Sequence, residues 1–166
     1  WRSILQRRDG PSAIILTRQA LPVLDRSRHA SASGAARGAY IISDSGDPQA
    51  ILIATGSEVH IALEAQKLLA KQNMRARVVS MPSCEIFESQ SPEYKESVLP
   101  SRIRARVAVE AGATLGWGKF VGLEGEVIGL DRFGASAPYQ TLYRELGLTA
   151  EEVAESVLKI YTRSGE

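Results

Sequence analysis

The chain has 166 residues, 44% of them hydrophobic and 23% charged, with 20 basic and 19 acidic side chains for a formal net charge of +1. A length of this order suits one domain with a core of useful size and some additional chain. The charge balance carries no electrostatic footprint for nucleic acid or an anionic membrane, and no apolar run approaches the roughly 18 residues of a membrane span. Residues 1–8 read as the tail of a helix; Trp1 stands where methionine would begin a chain, so a piece of a longer protein is expected. WRSILQRRDG also lacks the apolar centre of a signal peptide. Asp9-Gly10-Pro11 is a turn signal, and AIIL (13–16) predicts a short buried strand ending in TRQ. Residues 21–37, LPVLDRSRHASASGAAR, hold few large apolar groups and predict an exposed linker with a domain boundary.

Regular alternation follows. AYIIS (39–43), AILIA (50–54), ARVVS (76–80), RVAVE (106–110) and EVIGL (126–130) are rich in Val and Ile without clean polar alternation, as in strands covered on both faces. Only DSGDPQ separates the first two, which predicts an antiparallel hairpin. The later spacings leave room for helical crossovers and so predict parallel pairing. The fold class expected is α/β: a three-layer α/β/α arrangement on a mixed five-stranded sheet, one edge strand antiparallel to the rest. Helices are expected over 57–71, within MPSCEIFESQ (81–90), over 138–146 with Pro138 at the first helical position, and over 149–163 with a capping box at Thr149 and Glu152.

The strand–glycine–helix run AILIATGSEVHIALEA raises the question of a phosphate cradle at Gly56. Neither GxxxxGK with Ser or Thr nor GxGxxG is present, so the known backbone cradles are missing. Thr55 and Glu58 have capping-box spacing, and a carboxylate there would occupy the helix N-terminus that an anion needs. A self-satisfied turn is expected. Glycines 112, 116, 118 and 122 fit either close approach to a ligand or a tightly packed short helix. Glu110 ends a parallel strand, where α/β ligand sites lie, but a lone carboxylate there is expected to cap or pair. In LDRFGASAP (130–138), Phe133 either anchors a buried loop or packs against another domain. His29 and His60 are too few for a metal site, and no metal ligands are assigned. Cys84, the single cysteine, excludes an internal disulfide, implies a reducing, cytoplasmic home, and is expected to be an inert thiol. Nothing pairs a nucleophile with a base. Arg18, directly after a predicted strand, is either a surface arginine or a fork for phosphate or carboxylate.

Taken in order, GPSAIILTRQALP (10–22), ILIATGSEVHIALEA, ARVVSMPSCEIFESQSPEYKESVLP, RVAVEAG with GWGKFVG, and DRFGASAP resemble the end of the pyrimidine-binding domain and the C-terminal domain of transketolases. The resemblance covers almost the whole chain. It implies residues 1–20 as the end of the pyrimidine-binding domain, 21–37 as a linker and 38–166 as the C-terminal domain. It implies a homodimeric, cytoplasmic enzyme of the pentose phosphate pathway that moves a two-carbon ketol unit between sugar phosphates. Thiamine diphosphate and Mg2+ or Ca2+ would serve that enzyme. Arg18 in LTRQ matches the family's phosphate-binding arginine, with Thr17 in place of the usual serine. The family's GDG-and-asparagine motif, its activating glutamate and its active-site histidines are absent from these residues. No catalytic, cofactor-binding or metal role is therefore expected in this piece, which should be inactive alone and serve contacts with upstream domains and the dimer partner. The resemblance equally admits dihydroxyacetone synthase. A stand-alone nucleotide or regulatory ligand module, with a site near Gly56, Gly112 and Asp131, is the alternative from another class, and a pure assembly module a third.

Overall fold

The computed structural model describes residues 1–164. The chain runs through α1 (Arg2–Gln6), a 3-10 helix (Ala32–Arg37), β1 (Tyr40–Asp44), β2 (Ala50–Ala54), α2 (Glu58–Lys71), β3 (Ala76–Ser80), α3 (Cys84–Glu88), α4 (Pro92–Val98), β4 (Ala105–Val109), α5 (Gly118–Val121), β5 (Glu126–Ile128), α6 (Tyr139–Glu145) and α7 (Ala150–Ser164). Five strands form one sheet in the order β1-β3-β2-β4-β5. β3, β2, β4 and β5 run parallel, and β1 lies antiparallel on the β3 edge.

β2 explains the layering. Every residue of AILIA is buried, because alternate side chains feed two cores. Leu52 joins Val59, Leu63 and Leu69 of α2 and Val153 and Val157 of α7 on one face. Ile51 and Ile53 join Phe87 of α3, Val98 of α4 and Trp117 and Phe120 around α5 on the other. The expected three-layer α/β/α fold follows. Burial of a side chain of this kind contributes about 1.5–3 kcal/mol, so the central strand dominates the core.

The predicted hairpin is not formed. β1 pairs with β3, Tyr40 opposite Ser80 and Asp44 opposite Arg77. Both edges of β2 are taken by parallel neighbours in matched five-residue registers, so β1 cannot pair with it and docks outside β3. Arg77 clamps it there: its guanidinium pairs with Asp44 at 2.7 Å and reaches the Ser97 carbonyl at 2.7 Å.

AIIL is likewise not a strand. Ile15 is 95% exposed, and residues 11–19 belong to no helix or strand. A single extended segment cannot satisfy its own backbone, and among the described residues no strand lies beside it. The predicted linker contains the 3-10 helix, which ends at Gly38. There φ is +82°, and a Cβ would fall 2.2 Å from the Phe87 amide nitrogen, so only glycine fits.

Several helix starts follow local chemistry. The side chains of Ser83 and Ser91 accept from the amides of Ile86 and Tyr94, and Thr149 Oγ1 accepts from the Glu152 amide at 3.2 Å. Pro138 sits at the N-cap of α6 rather than one position inside it. The Thr55–Glu58 capping box does not form: Ser57 is the N-cap, with no side-chain cap bond, and the Glu58 carboxylate turns inward.

Candidate functional site

The carboxyl ends of β2 and β4 meet α6 and the 17–19 segment. Gly56, with φ of +54°, lets the chain leave β2 and enter α2, so it is a turn glycine. Two residues on, Glu58 is only 3% exposed. Its Oε1 accepts from Ser57 Oγ and from Tyr143 Oη, each at 2.6 Å. The buried Glu58 carboxylate places a negative charge beside this helix start, which disfavours a second anion there. Tyr143 is held unionised, its phenol pushed up to about 12 by burial and then by the Glu58 carboxylate.

Glu110, just past β4, is the other carboxyl at this end. Burial first, and the Glu58 charge second, push it up to about 7. Gly112 lies against it, at a distance where a Cβ would make ordinary contact with Glu110 Oε1, 3.4 Å away. Asp131 plays a different part. It accepts from the Thr114 amide at 2.9 Å and from Thr114 Oγ1 at 2.6 Å, which hold its carboxyl below the usual range and tie the two loops together.

Arg18 lines an open cleft of about 520 Å³ with Gln19, Ala135, Ser136, Ala137, Tyr139 and Leu142. Two stretches singled out in the sequence, LTRQ and GASAP, thus share one wall. Among the described residues the Arg18 guanidinium has no hydrogen bond or ion pair, so its fork is free. Small side chains at 135–137 leave the cleft wide. Phe133 is 97% exposed, which excludes the buried-anchor reading. Trp117 and Phe120 are buried and pack edge to face, so the glycine-rich stretch around α5 is a packing device. His29 precedes the 3-10 helix and His60 lies on α2. Cys84 Sγ lies 3.8 Å from Met81 Sδ, and burial pushes its thiol up, away from reactivity. Among the described residues no group of three His, Cys, Asp or Glu side chains could hold a metal ion. Tyr143 escaped the sequence reading. No local pattern announces a tyrosine whose partners Glu58 and Gln19 are 85 and 124 positions away.

Residues 38–149 match the family of the transketolase-like TK C-terminal domain. The chain belongs to the transketolase family. It is 49% identical over 159 residues to a transketolase of Bacillus subtilis (strain 168), covering 95% of this chain and 24% of that protein. It is 52% identical over 162 residues to one of Mycobacterium tuberculosis (strain H37Rv), covering 93% and 23%. The crystal structure of a Pichia stipitis transketolase in complex with sedoheptulose 7-phosphate superposes with a TM-score of 0.79 at 38% identity, over 87% of this chain and 20% of that one. This transketolase-family chain therefore spans about a quarter of the length of its curated relatives.

Proposed function

We propose that the chain is the C-terminal part of a transketolase and that Arg18 binds the phosphate of its sugar substrates. The observation that carries the reading is the free guanidinium of Arg18 in the cleft that it lines with Ala135, Ser136 and Ala137. An arginine fork matches phosphate oxygens in charge and geometry. Residues 1–20 then end the pyrimidine-binding domain, 21–37 link, and 38–166 form the C-terminal domain. The whole enzyme transfers a two-carbon ketol unit between sugar phosphates in the pentose phosphate pathway, as a cytoplasmic homodimer.

Thiamine diphosphate with Mg2+ or Ca2+ supplies the chemistry of such an enzyme. Among the described residues no three His, Cys, Asp or Glu side chains come together to hold that metal, and Glu58 and Glu110 stand as a pair without a third ligand. This chain's share is to bind and orient phosphate and to pack against the upstream domains and the partner subunit. Alone it should neither bind thiamine diphosphate tightly nor turn over sugar phosphates, and a stoichiometric, tight cofactor titration would sink that statement.

The direct test is Arg18→Ala in the full-length enzyme. Loss of a charge-assisted contact costs about 1.5–3 kcal/mol, so KM for phosphorylated sugars should rise about ten- to hundredfold. KM for the same sugars without phosphate should stay put. Equal effects on both would remove Arg18 from the phosphate site. The nucleotide-module reading is weakened at Gly56 by the buried Glu58 carboxylate two residues on, whose negative charge disfavours an anion there.

A further inference from the structure

We infer that Tyr143, fixed by the buried Glu58, is a positioning residue that holds Gln19 and so presents Arg18 to the cleft; this rests on the phosphate reading of Arg18. Glu58 Oε1 accepts from Ser57 Oγ and from Tyr143 Oη at 2.6 Å, and these two hydroxyls lie 3.1 Å apart, where either can donate to the other; the one proton of Tyr143 is spent within this trio. Tyr143 Oη then has only lone pairs left to offer. Gln19 answers with its amide, Nε2 donating to Tyr143 Oη at 3.2 Å. The other end of the same amide is also engaged, since Thr17 Oγ1 donates to Gln19 Oε1. The two residues that flank Arg18 are thus bound to each other and to α6, while the Arg18 guanidinium stays free. Tyr143 also supports the wall itself: Tyr139, a cleft residue, packs edge to face on its ring at 5.7 Å.

This arrangement explains why a buried carboxylate stands at the start of α2. A charge only 3% exposed is costly unless hydrogen-bonded, and here it sets the polarity of a chain of donors that ends beside the substrate arginine. Residues 11–19 belong to no helix or strand, so the backbone around Arg18 has no ladder to hold it. The Gln19–Tyr143 bond is its side-chain tether to α6.

The test uses the full-length enzyme with Tyr143→Phe, which keeps the ring and deletes the bonds to Glu58, Ser57 and Gln19. KM and kcat are measured for a ketose phosphate and for the same ketose without phosphate, with Arg18→Ala beside it. Amide hydrogen exchange is followed over residues 17–20. Expected is a rise of about three- to tenfold in KM for the phosphorylated sugar, the size of one lost hydrogen bond. kcat and the unphosphorylated KM should hold, exchange over 17–20 should quicken, and Tyr143→Phe should add nothing on top of Arg18→Ala. Gln19→Met, which cuts the tether from the surface side, should reproduce the effect without touching the core. An unchanged phosphate KM in Tyr143→Phe, beside a selective loss in Arg18→Ala, overturns the tether and leaves Arg18 in place. Equal losses on both sugars make Tyr143 merely structural and also overturn it. An Arg18→Ala enzyme unaltered on either sugar removes the phosphate reading, and the inference falls with it.

Discussion

Glu110 shows how much a side chain's meaning depends on a neighbour far away in sequence. In the unfolded chain its carboxyl titrates near 4.5; in the fold it is pushed up to about 7, by burial and then by Glu58. A raised carboxyl binds its proton more tightly when folded. Its share of stability is therefore full below pH 4.5 and is lost as pH climbs through 7. The shift corresponds to at most about 3 kcal/mol, and partial exposure trims this to roughly 1–2 kcal/mol. Glu110→Gln should flatten the fall in stability between pH 5 and 8 and raise the unfolding free energy at pH 8 by about that amount. Urea titrations at pH 5, 6.5 and 8 measure it; an unchanged slope would place the titrating group elsewhere. The sequence places Glu110 at a strand end, where the structure has it. It could not reveal Glu58 beside it, because that approach is made by two parallel strands and their loops.

Strands and helices were mostly legible from composition. β2 and β3 occupy the predicted five residues, and β4 begins one residue earlier than predicted. Val- and Ile-rich runs without polar alternation report burial on both faces, which is a local property. Pairing is not local, and β1 shows it: a short connection suggested β2 as partner, but β3 and β4 take both edges of β2 and β1 pairs with β3. Elements here are also strapped by polar groups that no pattern marks. Arg106 on β4 donates to the carbonyls of Leu99, Pro100, Ile103 and Phe120, at 2.8–3.2 Å. It thereby ties the loop after α4 and the end of α5 to the sheet. Arg106→Met keeps the apolar stem and strips the donors from four acceptors. It should destabilise by about 2–4 kcal/mol, read as a drop in the chemical-denaturation midpoint. A change below about 0.5 kcal/mol would mean that water serves those carbonyls equally well.

The molecule as a whole is a packed α/β/α unit preceded by chain that contributes little to its core. α1 buries no residue, and Ile14, Ile15 and Leu16 are all exposed. Leu24, by contrast, packs on the core, and Gln19 holds Tyr143. Removing residues 1–16 should therefore leave the unfolding free energy within about 0.5 kcal/mol, since exposed termini without buried contacts carry little stability. Thermal or urea unfolding of the shortened chain checks this. A loss of several kcal/mol would show that the first segment is part of the folding unit.

Periodicity, glycine and proline placement and Val/Ile content were enough for the strand set, the long helices, the mixed sheet and the motifs that resemble transketolases. These are local signals, written in neighbours one to four residues apart. The partner of β1, the missing strand at 13–16, the inward turn of Glu58 and its union with Tyr143 and Gln19 came only with the folded chain. Each depends on which edge is free, which surface is covered and which hydroxyl reaches a buried carboxylate. Such contacts join residues far apart in the chain, and no stretch of sequence contains both halves of any of them.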